Sequence, residues 1–279
     1  TLCLLYYDYY KSFKLKFYNF SKYYAILIFR VCFCVKLIIN MKFGKKVSIG
    51  SWVTIGHPSI VEIMAEAGFD WLCIDLEHSV IDYHEAQLMI STIQGKGIPA
   101  YVRVGENNDL IIKRILDAGA DGIIVPMIKS KIDAERAVNA ARYAPNGSRG
   151  VGLARAQGYG FDFKNYLSKQ QNIDIILQIE HIDAINDLED ILSVKNICGT
   201  IIGPYDLSAS MKKPGDFEND EVIKALEQYE KISKKLKIPM GYHVVDPDIN
   251  KYLEMLKKGY SILPFSFDAM FLGSTIRHS

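Results

Sequence analysis

An excess of charge of either sign is missing from this chain. Lys and Arg number 33 against 32 Asp and Glu, leaving a net charge of +1. A nucleic-acid binder needs a basic surplus for its phosphate contacts, so no nucleic-acid partner is expected. Cysteine is sparse: five in 279 residues. Cys32 and Cys34 stand too close for the usual zinc spacing, and Cys73 and Cys198 fall inside apolar runs. Free thiols in a reducing compartment, and so a cytoplasmic location, are the expectation. A long unbroken apolar run is also lacking. The nearest candidate, Tyr23 to Ile39, is interrupted by Arg30 and Lys36, which makes a poor membrane span. No small-residue cleavage site follows it, as a signal peptide requires. No membrane partner is expected.

Residues 1–40 contain neither glycine nor proline and are crowded with Tyr, Phe, Leu and Lys. They carry a charge of +5, the remainder −4. The chain does not begin with Met, yet Met41 directly precedes the first organised segment. Residues 1–40 therefore read as a non-native or disordered extension, such as upstream DNA translated in frame. A membrane-surface anchor is the alternative. Residues 41–279 read as one domain.

From residue 47 apolar runs alternate with helical spacing. Strands are predicted at Val47–Val53, Trp71–Asp75, Ala100–Val104, Gly122–Val125, Ile173–Ile179, Cys198–Ile202, Met240–Val244 and Ser261–Pro264. Between them Ile60, Ile63, Met64 and Ala67 share a helix face, as do Leu110, Ile111, Ile115 and Ala118. Gly68, Gly119 and Gly259 follow helical runs and suit left-handed caps. Eight strand–helix units in roughly 230 residues match a single-domain (β/α)8, or TIM, barrel. A doubly wound sheet would usually carry a glycine-rich phosphate loop after its first strand, and Gly50 to Gly56 lacks that spacing. The long connection Tyr143 to Asn172, with Arg149-Gly150-Val151-Gly152, reads as an active-site loop by its length.

In such a barrel, catalytic groups gather at the carboxyl ends of the strands. There the chain offers Trp52, then Asp75-Leu76-Glu77-His78, Arg103, Pro126-Met127, Gln178-Ile179-Glu180, Gly203-Pro204-Tyr205-Asp206, His243, and Ser266 with Asp268. Glu180 and Asp206 are hard oxygen donors that would hold a divalent cation with positions left for substrate. The alternative is that each caps the helix that follows it. His78, flanked by Asp75 and Glu77, suits a general base. Arg103 suits a carboxylate or an enolate, or a structural ion pair. Asp117 is placed near a helix C-terminus, unfavourable for an anion unless a partner such as His78 offsets it. Trp52 reads as packing and as a pocket wall, His243 as lining the mouth. His57, His84 and His181 read as surface or cap residues.

The ordered set Gly68-Phe69-Asp70-Trp71, Asp75-Leu76-Glu77-His78, Val102-Arg103-Val104, Val125-Pro126-Met127, Arg149-Gly150-Val151-Gly152, Gln178-Ile179-Glu180 and Gly203-Pro204-Tyr205-Asp206-Leu207-Ser208 resembles the HpcH/HpaI aldolases, metal-dependent pyruvate aldolases. The resemblance runs from residue 46 to about 275. It implies retro-aldol cleavage of a 4-hydroxy-2-oxo acid to pyruvate and an aldehyde. It implies Glu180 and Asp206 as ligands of Mg²⁺, Mn²⁺ or Co²⁺, and Arg103 at the enolate oxygen with Gln178 beside it. His78 matches the catalytic histidine, Asp117 its paired aspartate, and Asp75 a further active-site position. Backbone N–H groups of the Gly203-Pro204 turn and of the loop after Arg149 would bind the pyruvate carboxylate. Tyr205 stands where many members carry Ala or Asn, so it is expected at the pocket wall, narrowing the aldehyde side. A homo-oligomer, a hexamer in this family, is implied, with the final helix represented only by Asp268 to Ile276. Three alternatives remain: a citrate-lyase-like acyl lyase, a Schiff-base aldolase using Lys129, and a barrel kept as a binding or scaffold protein, which would need a missing metal ligand or base.

Overall fold

The structure is a computed structural model that describes residues 48–169 and 173–277. The reading of residues 1–40 lies outside them. Eight parallel strands form one sheet: β1 (Ile49–Val53), β2 (Trp71–Asp75), β3 (Ala100–Arg103), β4 (Gly122–Val125), β5 (Asp174–Ile179), β6 (Gly199–Ile202), β7 (Met240–Tyr242) and β8 (Leu263–Phe267). Each pairs with its neighbours in chain order, and β8 pairs with β1. Single bridges Gly241–Ile262 and Val244–Phe265 join β7 to β8. This is the closed (β/α)8 barrel that the alternation predicts.

Helices return the chain from each strand's carboxyl end to the next strand's amino end. They are α1 (Pro58–Glu66), α2 (Tyr83–Gly95), α3 (Asp109–Asp117), α4 (Lys131–Ala141), α5 (Phe163–Lys169), α6 (Ile182–Asn186), α7 (Leu188–Leu192), α8 (Pro204–Ser210), α9 (Asp220–Leu236), α10 (Ile249–Lys258) and α11 (Asp268–Arg277). Their starts are written in the sequence. Asp82 with Glu85, and Ser130 with Asp133, close reciprocal capping boxes on α2 and α4. Gly68, Gly119 and Gly259 take φ of 95°, 102° and 97° after helices, as predicted.

Strand parity divides the core into two layers. One set of strand residues packs outward against helices, as Leu72 and Ile74 of β2 do. The other fills the barrel with Trp52, Trp71, Cys73, Ile124, Ile176 and Ile201. Room for these rings comes from glycine. A Cβ on Gly50 would lie 2.0 Å from the Trp71 indole, and one on Gly122 2.5 Å from the Tyr101 ring. Each fully buried aliphatic side chain contributes about 1.5–3 kcal/mol, so this double core is what holds the rim residues in place. The same parity carries inward-facing Cys73 to Asp75, and Ile176 to Gln178.

The bounds of β1, β3, β5, β6, β7 and β8 differ from those predicted, those of β8 the most. β8 does not stop at Pro264 but runs to Phe267, because proline is tolerated where the β1–β8 register shifts, between Gly50 and Trp52. Asp268 then opens α11, and its carboxylate accepts from the backbone N–H of Thr54 at 2.9 Å and of Ile55 at 2.8 Å. That carboxylate closes the seam between the first strand and the last helix.

The connection after α4 is the larger correction. It runs from the end of α4 to the start of β5 and so lies at the amino-terminal face, away from the strand ends that carry the site. It is tied there as well. Arg155 donates to the Ala118 carbonyl at 3.0 Å and to Gln94 at 2.8 Å. Arg149, its side chain fully buried, donates to Asp117 at 2.6 Å and to the Tyr166 hydroxyl at 3.0 Å. Within one chain, then, this is structural packing rather than an active-site loop. Its length accommodates two buried polar side chains, Arg149 and Gln157, which find their partners on Asp117, Tyr143 and Tyr166.

Candidate active site

Asp75 organises the mouth of the barrel. It ends β2 directly opposite Arg103 at the end of β3, so register alone brings acid and guanidinium together. Arg103 Nε donates to Asp75 Oδ1 at 2.9 Å and Nη2 to Oδ2 at 2.6 Å. Oδ1 also accepts the backbone N–H of Glu77 at 3.0 Å and of His78 at 3.3 Å. One carboxylate thus aims the guanidinium and shapes the turn bearing the next two polar side chains. Burial alone would raise the Asp75 pKa, but the paired hydrogen bonds and charge of Arg103 outweigh it and hold the carboxyl below its usual range.

Arg103 lies over the Trp52 indole at 4.3 Å, a cation–π contact that fixes its plane. Its Nη1 is 3.2 Å from Glu77 Oε2. A guanidinium has five N–H groups. Two go to Asp75 and one faces Glu77, which leaves two for a ligand.

Glu180 stands just past β5. Its Oε1 accepts the Met127 backbone N–H at 2.7 Å, and its Oε2 accepts the Gln178 side-chain amide. Met127 holds a positive φ of 54° to make that contact. Glu180 does not cap the helix after it. His181 does, accepting from the Asp183 N–H at 3.2 Å, as His57 caps α1. Asp206 lies in the first turn of α8, exposed to solvent. Gly203, three residues earlier, approaches Glu180 so closely that a Cβ there would lie 3.0 Å from Oε2. Burial raises the Glu180 pKa, and the negative charge of Asp206 adds to it against the donors from Met127 and Gln178.

Glu77 belongs to the same cluster, a place its position beside His78 in the sequence does not announce. Its pKa is raised to about 7 by burial, with Glu180, Asp75 and Asp206 pushing the same way and Arg103 opposing. Four carboxylates therefore share one guanidinium. That deficit of positive charge, on hard oxygen donors, fits a divalent cation held by Glu180 and Asp206. Among the described residues no group of three or more His, Cys, Asp or Glu is arranged to hold a metal. Glu180 and Asp206 alone would leave the remaining coordination positions of such a cation to water or substrate.

Other expected residues fall differently. The side chain of His78 is 66% exposed at the rim, its Nε2 3.8 Å from Glu77 Oε2. The His78–Asp117 pair is not formed within the chain. Asp117 ends α3 at the opposite face and accepts from Arg149 and, at 3.1 Å, from Gln157. Its expected cost near a helix C-terminus is offset by those donors instead. The Gly203-Pro204 turn offers no free N–H, because Gly203 donates to the Ile179 carbonyl at 2.9 Å and proline has none. Tyr205 is exposed at the rim and meets Phe217 edge to face at 6.1 Å. Lys129 lies past β4, where its backbone N–H caps onto Asp133 at 3.0 Å.

Residues 48–274 match the HpcH/HpaI aldolase/citrate lyase family. The chain belongs to that family. A hydroxypyruvate/pyruvate aldolase of Sagittula stellata is 38% identical over 196 residues, 69% of this chain and 77% of that protein. A 5-keto-4-deoxy-D-glucarate aldolase of Escherichia coli is 32% identical over 213 residues, covering 76% and 83%. A crystal structure of a family protein from Burkholderia cenocepacia superposes with a TM-score of 0.78 at 29% identity, covering 86% of this chain and 96% of that one. This HpcH/HpaI chain is accordingly an enzyme of carbon–carbon bond cleavage, and no helix among its described residues is long and apolar enough to cross a membrane.

Proposed function

We propose that this enzyme cleaves a 4-hydroxy-2-oxo acid to pyruvate and an aldehyde, with a divalent cation at Glu180 and Asp206. The observation that carries the reading is the Asp75–Arg103 pair at the same strand ends as those two carboxylates. Mg²⁺, Mn²⁺ or Co²⁺ bound there would supply a Lewis acid for the keto and carboxylate oxygens of the substrate. The protein does the rest. Arg103 directs its two unspent N–H groups at the C2 oxygen, where negative charge grows as the bond breaks. Asp75 keeps the guanidinium from rotating away, and the Trp52 face keeps it planar to the pocket. The Gln178 amide holds Glu180 in its ligating pose. His78 takes the proton of the C4 hydroxyl, with Glu77 adjacent to receive its positive charge. Tyr205 and Phe217 border the aldehyde side.

The two relatives are named for 2-oxo acids with hydroxyls or a sugar-acid chain, which supports the same substrate class here. We also infer one catalytic domain over residues 41–279, a homo-oligomer, hexameric by family likeness, and a cytoplasmic location.

The test is pyruvate release from a panel of 4-hydroxy-2-oxo acids with each of the three metals, then with EDTA. Turnover is expected with metal only, and Glu180→Gln is expected to abolish it. Full turnover in chelator, or an unimpaired Glu180→Gln enzyme, overturns the proposal.

A further inference from the structure

His243 follows β7 in the mouth of the barrel, and none of the chemistry above uses it. Its ring tilts against Trp52 at 5.5 Å between centroids and meets Phe267 at 6.5 Å. Arg103 lies on the same indole, so imidazole and guanidinium share one wall. His243 Nε2 is 3.2 Å from the Ser266 carbonyl oxygen. A carbonyl can only accept, so Nε2 carries the hydrogen. Burial, with the positive charge of Arg103 adding to it, lowers the imidazole pKa to about 4 against the opposing pull of the Ser266 carbonyl and Asp75. The ring is therefore neutral, and its lone pair is on Nδ1.

Nδ1 finds no hydrogen-bond partner among the described residues. In the same cluster Trp52 Nε1 and Ser266 Oγ are buried with none either. Ser266 holds φ at +52°, uncommon for a residue with a side chain, while its N–H bonds to the Val244 carbonyl at 2.7 Å. The carbonyl that fixes the histidine tautomer is thus itself held in an unusual backbone pose. An acceptor of fixed tautomer beside an unspent indole donor suits a hydroxyl group, which gives one hydrogen bond and takes another.

We propose that His243 selects 2-oxo acids that carry a hydroxyl on the carbon next to the keto group, accepting that hydroxyl's hydrogen at Nδ1. The proposal rests on the aldolase reading. The proposal sets the C2 oxygen at Arg103 and C3, rather than the carboxylate carbon, against the wall that Trp52 and His243 share with the guanidinium. Pyruvate presents only a methyl group there, whereas hydroxypyruvate presents a hydroxyl. His243 binds this group and moves no proton.

The experiment uses Mn²⁺-loaded protein. Binding of pyruvate and of hydroxypyruvate is followed by calorimetry, and kcat/KM is measured with each as aldol donor to a single aldehyde. The wild-type enzyme is expected to use both donors, in keeping with pyruvate release, and to bind hydroxypyruvate the more tightly. His243→Leu is expected to lose about tenfold in hydroxypyruvate affinity, the worth of one hydrogen bond, with pyruvate held within about twofold. His243→Asn places an oxygen near the Nδ1 position and is expected to recover most of the preference. An equal loss for both donors, which a merely structural wall would give, overturns the proposal, as does an unchanged ratio. If the wild-type protein binds neither 2-oxo acid, the aldolase reading fails and this proposal fails with it. Binding of both without a shift in ratio refutes only the role of His243.

Discussion

Removing the charge of Glu77 should change how stability responds to pH. The group lies 14% exposed among three other carboxylates, and its pKa stands at about 7 where an ordinary glutamate has 4.5. At about 1.4 kcal/mol per pH unit that difference corresponds to about 3 kcal/mol. The folded state holds this proton to higher pH than the unfolded chain does. Below pH 4.5 both states are protonated and the group costs nothing. As pH rises from there to 7 the unfolded chain ionises first, stability falls, and above pH 7 the full cost remains. Glu77→Gln should erase that cost. For a domain of this size about 3 kcal/mol is worth about 6–12 °C in Tm. Thermal unfolding in EDTA from pH 4 to pH 8 should show wild type and variant alike at the acid end, the variant higher by that amount at the alkaline end. Adding Mn²⁺ should shrink the gap, because a cation at Glu180 and Asp206 removes much of the repulsion Glu77 feels. A gap that does not change with pH, or that widens toward acid, would refute the reasoning.

Two further variants test neighbouring features. Arg103→Lys keeps the charge but loses the two-pronged grip on Asp75 and the planar contact with Trp52; kcat is expected to fall about 10²–10³-fold, and a loss under tenfold in steady-state assays would contradict the enolate role. Ser266→Gly relieves a positive φ and removes an unpartnered buried hydroxyl, so urea unfolding should show a gain of about 1 kcal/mol, whereas Ser266→Ala, which keeps the strain, should recover less.

The barrel was legible because its strands are apolar on both faces and bounded by turn residues. β2 and β4 were read to the residue. The inner mouth was legible as well. Inward parity carries Asp75, Arg103 and Gln178 to one end, so their places at the strand ends already bring them together. What the sequence concealed depends on which end of the barrel a segment occupies. Asp117 and the loop after Arg149 lie at or beyond helix C-termini, and a helix returns the chain to the far face, so a motif shared with the rim in sequence is not shared in space. His243 was visible only as a rim residue. Its tautomer depends on a carbonyl that a backbone of positive φ presents, and nothing in the letter Ser announces that conformation.

The Asp268 carboxylate grips Thr54 and Ile55 from the far end of the chain, across 214 and 213 positions of sequence. During synthesis the edge of β1 that β8 covers stays bare until β8 itself has been made. Bare edges invite pairing with strangers, and ring closure at this separation is slow. A deletion that removes Asp268 would leave the Thr54 and Ile55 N–H groups without this partner and open the seam where the barrel closes.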